Sequence, residues 1–244
     1  MKSLTKFISS TYQPGYTCKT YLPVGVSRDI GLFFIHSSNV FQDENLDVSE
    51  QLQKNGFTCF TFDMQGNKLD IGKEQTFTIA DNFQDILKAF DYFQKQGDFK
   101  EIIVIGSSYG GYLAAWLSGQ RKFASLILRA PQIYPNQMIS LSKKAEDKLF
   151  TKLWRQQVIK LEDSLALQAL YKFPGRVLLI SSENDEKVSP QTIKSYAAAA
   201  SNSANLTEIL MSGLGHKLET PEQRLQFAGI IKNWLEGKDR KRIL

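Results

Sequence analysis

The chain has few of the residues that build metal centres or disulfide frameworks. Two cysteines, Cys18 and Cys59, cannot supply the paired-cysteine clusters of a structural zinc site, and the two histidines, His36 and His216, find no carboxylates at ligand spacing. Cys59 lies in the strand-like run from Gly56 to Asp63, where a free buried thiol is the ordinary outcome, and nothing in the spacing asks for a disulfide. Neither a metal nor a cofactor is expected. Long apolar runs are also missing: none approaches the roughly 20 residues that span a bilayer. Met1 to Ser10 carries lysines without the apolar centre of a secretion signal. The expectation is a cytoplasmic protein without stable membrane insertion. Charge of one sign is lacking as well, since 30 Lys and Arg face 25 Asp and Glu, a net of +5. The one basic cluster, Gly237 to Leu244, reads as a solvated end. No aromatic-basic interleaving like that of an RNA-binding sheet occurs, so no nucleic-acid partner is expected. Phosphate-loop spellings are absent too, for no G-x-G-x-x-G opens a helix and Gly66-Asn67-Lys68 is not such a loop.

What the chain does have is alternation. Strand-like runs at Tyr16–Leu22, Ile30–Ile35 and up to Asp63, then at Glu101–Ile105, Phe123–Ala130, Gly175–Ser182 and Leu206–Met211, are separated by helical patterns. The helices are expected from about Asp47 or Ser49 to Asn55, Ile79 to Gln96, Gly110 to Gly119, Thr192 to Ala200 and Pro221 to Leu235. Parallel strands need crossover helices, so this order implies an α/β fold, a mostly parallel sheet with helices on both faces. A chain of 244 residues can form it as one domain spanning 1–244. The stretch 131–174 is longer than one crossover requires. It reads as two or three helices, including Lys143–Gln157 and Leu161–Tyr171, and is expected to form a small lid in which Tyr134, Phe150 and Trp154 could touch substrate.

Reactive groups of such sheets collect at the carboxyl ends of strands. The run Gly106-Ser107-Ser108-Tyr109-Gly110 stands where an apolar strand passes into an apolar helix, the sequence form of a nucleophile elbow. Spelling alone is weak, because Gly-x-Ser-x-Gly arises by chance in roughly one chain of this length in ten. The strand before it and the helix after it carry the assignment to Ser108. A serine hydroxyl needs a base. Chain order in an elbow architecture, nucleophile then acid then histidine, favours His216 over His36. The imidazole in turn needs a carboxylate to set its tautomer. Asp185, just past the strand ending at Ser182, is the preferred candidate, with Glu183 and Glu186 as rivals. Asp63 and Gly66 read as a strand end and its turn.

Together these residues resemble the α/β-hydrolases over Tyr16 to Trp234. His36-Ser37 stands where that family commonly has His-Gly, Asp63-Met64-Gln65-Gly66 is similar to its Asp-x-x-Gly turn, and the elbow, Asp185-x-x-Val188 and Gly215-His216 follow in order. The resemblance implies a serine hydrolase acting on a small-molecule acyl substrate through an acyl-Ser108 intermediate, with His216 moving the proton and Asp185 orienting it. Its oxyanion hole would use the backbone N–H groups of Tyr109 and Ser38, with Ser37 in place of the usual glycine and His36 and Ser37 near the substrate. Esters are the leading substrates. Peptides, thioesters, transfer to another acceptor, and a non-catalytic binding role share the same framework.

Overall fold

Pro14-Gly15 turns β1 (Phe7–Gln13) into the antiparallel β2 (Tyr16–Tyr21), with Gly15 at a φ of 81° that a residue bearing a Cβ avoids. The computed structural model describes residues 6–38, 40–66, 76–142, 148–202 and 206–238. β1 is an addition to the strands read from sequence. It lies at the sheet edge with Phe7 and Ile8 exposed, so it lacks the apolar face by which strands are recognised.

The elements that follow are β3 (Ile30–Ile35), α1 (Leu46–Gln53), β4 (Thr58–Phe62), α2 (Ile79–Gln94), β5 (Glu101–Ser107), α3 (Tyr109–Leu117), β6 (Ser125–Arg129), α4 (Lys148–Trp154), α5 (Leu165–Tyr171), β7 (Arg176–Asn184), α6 (Pro190–Ala199), β8 (Leu206–Gly215) and α7 (Pro221–Leu235). The strands form one open sheet in the order β1-β2-β4-β3-β5-β6-β7-β8. β2 and β4 pair antiparallel, and every pair from β4 to β8 is parallel, as the alternation implies.

Successive strand residues point to opposite faces, so the central strands feed two cores. Phe33, Val104, Leu126, Leu128 and Leu179 pack with Phe83, Phe90 and Phe93 of α2 and with Tyr112 and Leu113 of α3. Leu32, Phe34, Ile105, Ile127 and Ile180 pack with Val48 and Leu52 of α1 and with Phe227, Ile231 and Trp234 of α7. Phe33 is the hub of the first core, its ring 5.1 to 5.9 Å from those of Phe60, Phe62, Phe90 and Phe93. Cys18 faces the first core and Cys59 the second, and both are free thiols.

Two expectations change in detail. β8 runs on to Gly215 rather than stopping at Met211, with Gly213 at a φ of 73° inside it. In the stretch 131–174, α5 buries Ala166, Leu167 and Leu170 in the first core, so it covers the sheet as the crossover helix from β6 to β7. α4 instead leaves Phe150 and Leu153 exposed. Residues 143–147 of the helix expected there, 67–75 of the polar loop after β4, and 239–244 of the basic tail lie outside the described residues. No described helix is long and apolar enough to cross a membrane.

Candidate active site

β5 ends at Ser107 and α3 begins at Tyr109, leaving Ser108 alone to make the turn. Its backbone takes φ 54° and ψ −118°, outside the regions L-residues favour, and such strain persists only where neighbours over-determine it. Here the Ser108 N–H donates to the Arg129 carbonyl at 3.0 Å, and the Ser108 carbonyl accepts from the N–H groups of Gly111 at 3.0 Å and Gln132 at 2.9 Å. The flanking glycines are steric requirements. A Cβ on Gly106 would sit 2.3 Å from the Gly110 carbonyl oxygen, and one on Gly110 would sit 2.3 Å from that of Ile35 and 2.6 Å from that of His36. The second contact also presses the head of α3 against the loop leaving β3. Ser108 caps α3 without a side-chain cap bond; its hydroxyl faces His216.

Asn184 of β7 pairs with Gly215 of β8, so the next residue of each parallel strand, Asp185 and His216, emerges at the same edge side by side. His216 Nε2 lies 2.9 Å from Ser108 Oγ, and Nδ1 lies 3.0 Å from each oxygen of Asp185. Ser108 is 5% and His216 8% exposed, so the line of contacts is almost out of water. Asp185 Oδ1 also accepts the N–H groups of Lys187 at 2.9 Å and Val188 at 2.8 Å. Burial alone would raise the Asp185 carboxyl; the bonds from His216 and from those two N–H groups outweigh it and hold the group below the usual aspartate value. An anionic acceptor beside Nδ1 keeps the ring proton there and leaves the Nε2 lone pair to accept from Ser108. Of the three rival carboxylates only Asp185 reaches the ring. Glu183 accepts the Gly213 N–H at 2.6 Å and Glu186 the His216 N–H at 3.2 Å, so both brace the backbone that carries His216.

Ser108 opens into a cleft of about 570 Å³ whose wall includes Ser37, Ser38, Val48, Arg129, Gln132, His216 and Phe227. The Ser37 N–H is committed to Glu44 Oε2 at 2.7 Å, and its hydroxyl donates to the Ser107 carbonyl at 3.4 Å. Tyr109 directs its ring away, its hydroxyl donating to Asn82 Oδ1 at 2.9 Å, while its backbone directly follows Ser108.

Four residues expected near substrate do not line this cleft. His36 is buried, donating from Nδ1 to the Ser37 carbonyl at 2.7 Å and accepting the Met64 N–H on Nε2 at 3.2 Å, so it ties the β3 loop to the loop after β4. Tyr134 is buried against the rings of Tyr109 and Tyr112, with the Arg155 guanidinium 4.4 Å from its ring centre. Trp154 packs on the first core, and Phe150 stays exposed on α4. Sequence reading missed Glu44, Arg129 and Gln132. For Arg129 and Gln132 a signal was present, since both follow the apolar run of β6 at the same sheet edge as Ser108.

The profile of the prolyl oligopeptidase family matches residues 47–240. The chain belongs to that family. Among solved structures, a dienelactone hydrolase from Anabaena variabilis superposes with a TM-score of 0.69 at 16% identity, covering 96% of this chain and 98% of that one. A soluble variant of the Saccharomyces cerevisiae monoglyceride lipase gives 0.70 at 17% identity over 99% of each chain. An acylaminoacyl peptidase from Pyrococcus horikoshii gives 0.69 at 16% identity, over 96% of this chain and 42% of that one. These likenesses carry the fold, that of the α/β-hydrolases. Sequence comparison with curated proteins finds no match. As a prolyl oligopeptidase family member with this fold, the chain is a hydrolase of the α/β-hydrolase superfamily.

Proposed function

We propose that the chain is a serine hydrolase that cleaves an ester or related acyl compound through an acyl-Ser108 intermediate. The observation that carries this reading is the unbroken line from the Asp185 carboxylate through both nitrogens of His216 to Ser108 Oγ. As Oγ attacks the substrate carbonyl, His216 Nε2 takes its proton and Asp185 stabilises the imidazolium that forms. The same proton then goes to the leaving group, and water repeats the sequence to release the acid. The oxyanion is received by the backbone N–H groups of Tyr109 and Ser38. Two contacts support that pair: α3 begins against the β3 loop at Gly110, and the neighbouring Ser37 N–H is already given to Glu44. One such donor is worth about 3 kcal/mol in the transition state. A cleft of about 570 Å³ suits a small molecule. Any lid belongs to the part of 131–163 that includes α4, because α5 is spent on the core.

The family match favours one second reading, a peptidase working through the same acyl-enzyme. A fluorophosphonate probe, applied to the folded protein and to Ser108→Ala, tests the mechanism: labelling and ester turnover should both vanish in the variant. Full turnover by Ser108→Ala would overturn it, and absence of labelling in the wild type would favour a non-catalytic binding protein. Aminoacyl amides run beside esters of increasing acyl length separate peptidase from esterase.

A further inference from the structure

Arg129 closes β6 beside Ser107, its register partner on β5, and lines the cleft that holds Ser108 and His216. It is only 4% exposed. A guanidinium so far out of water is ordinarily matched by a carboxylate, yet Arg129 forms no ion pair among the described residues. Nη2 donates to Ser182 Oγ and to the Gly215 carbonyl, both at 3.2 Å, and Nε is buried without an acceptor. The nearby carboxylates are otherwise engaged. Asp185 is held by His216, Lys187 and Val188, Glu44 by the Ser37 N–H, and Glu186 by the His216 N–H. Burial pulls the guanidinium below the usual arginine value, and Asp185, Glu44 and Glu186 act against that from beyond ion-pair distance.

We infer that Arg129 receives a carboxylate of the substrate, making the preferred substrates acid-bearing esters whose carboxylate lies a few atoms from the scissile carbonyl. The inference rests on the serine hydrolase reading of the same cleft. The two bonds from Nη2 anchor the guanidinium to β7 and β8 before substrate arrives, so little ordering remains to be done on binding. Its planar fork suits a carboxylate better than a neutral carbonyl. Lys187 and Lys217 on the cleft wall add positive charge, and Glu44 and Glu219 offset part of it. The competing role for Arg129 is positioning: through the Gly215 carbonyl it could hold His216, which would affect every substrate alike.

The test compares kcat/KM for two matched pairs at neutral pH. Phenyl hydrogen adipate against phenyl hexanoate places the carboxylate on the acyl side; 4-acetoxybenzoate against its methyl ester places it on the leaving group. The wild type should prefer the acid in at least one pair by about 10- to 100-fold, the span of one charge-assisted hydrogen bond. Arg129→Gln should erase that ratio whatever it does to the neutral ester, and Arg129→Lys, which keeps the charge without the fork, should restore part of it. No preference in either pair, or a ratio unchanged in Arg129→Gln, overturns the proposal and, if neutral esters turn over, leaves the hydrolase reading standing. Should Arg129→Gln fail to fold, free adipate decides on the wild type, competing with the neutral ester if the proposal holds and failing to compete if it does not. If the wild type neither turns over any ester nor reacts with a fluorophosphonate, both readings fall.

Discussion

Replacing Asp185 by Asn should remove nearly all turnover while leaving the fold in place, and the hydrogen bonds at the site say why. Asp185 Oδ1 accepts the Lys187 and Val188 N–H groups, and both oxygens face His216 Nδ1. An asparagine has one acceptor oxygen to offer. With that oxygen on the two backbone donors, an NH₂ replaces the second oxygen 3.0 Å from Nδ1, and its hydrogens repel a proton held on that nitrogen. The ring proton then moves to Nε2, facing Ser108 Oγ, and the base can no longer take the serine proton. The flipped amide would restore the right tautomer only by leaving two backbone N–H groups facing an NH₂, at about 1–3 kcal/mol for each unsatisfied group. The wrong tautomer therefore wins.

In a Ser-His-Asp triad that tautomer error lowers kcat by about 10⁴-fold, or about 5 kcal/mol of transition-state stabilisation. The assay is kcat/KM on a phenyl ester, beside a denaturant melt to verify folding. Titration gives a second readout. Because the folded carboxyl lies below its unfolded value, its stabilising contribution is complete above the ordinary aspartate range and is lost only as pH falls through the folded value. Wild type should therefore exceed Asp185→Asn in stability at neutral pH, with that part of the gap closing in strong acid. A folded Asp185→Asn retaining more than about a tenth of wild-type kcat/KM, against the roughly 10⁴-fold loss expected, would refute the tautomer argument.

Other expectations follow from contacts elsewhere. Gly110→Ala drives a Cβ into the backbone of Ile35 and His36, so it should lower stability by at least about 1–3 kcal/mol in a urea melt and depress turnover by displacing the elbow. Gly229→Ala in α7 meets nothing within 4 Å and should stabilise by about 0.5–1 kcal/mol in the same melt. Asp85 accepts bonds from Gln13 and Gln65, yet burial outweighs them and raises its carboxyl above the usual value. A raised acid binds its proton more tightly when folded, so wild type should gain stability relative to Asp85→Asn as pH falls from neutral toward the ordinary aspartate range. A gap independent of pH would contradict that. Phe33→Ala, which empties the aromatic hub of the first core, should cost about 3–5 kcal/mol by chemical denaturation.

Strand ends carried most of what the sequence disclosed. Ser108, Asp185 and His216 each stand just past the end of a strand, and in a parallel sheet such ends share an edge whatever the loops do, so their meeting could be expected before any contact was known. The same rule misled at His36, which also follows a strand, because it fixes an edge without fixing a direction. His36 turns inward to the Met64 N–H instead of facing Ser108. The choice among Glu183, Asp185 and Glu186 lay beyond periodicity for a related reason. It depends on the register shift between Ser182 and Asn184, where β8 gains two residues on β7 and so sets which β7 residue emerges beside His216.

Arg129 was hidden by a subtler ambiguity. Alternation along β6 puts it on the same face as Ile127, the face that α1 and α7 cover. At the level of Ile127 that face is core; two residues on, it lines the cleft, where Val48 of α1 and Phe227 of α7 also line it. The same position therefore calls for an apolar side chain if the helices extend past it and tolerates a charged one if they stop short. An arginine there marks where they stop. A charge at the last residue of a buried parallel strand, on a face otherwise apolar, is on this reasoning a sign that the cleft reaches down to the sheet, and so that the group filling it will meet that charge directly.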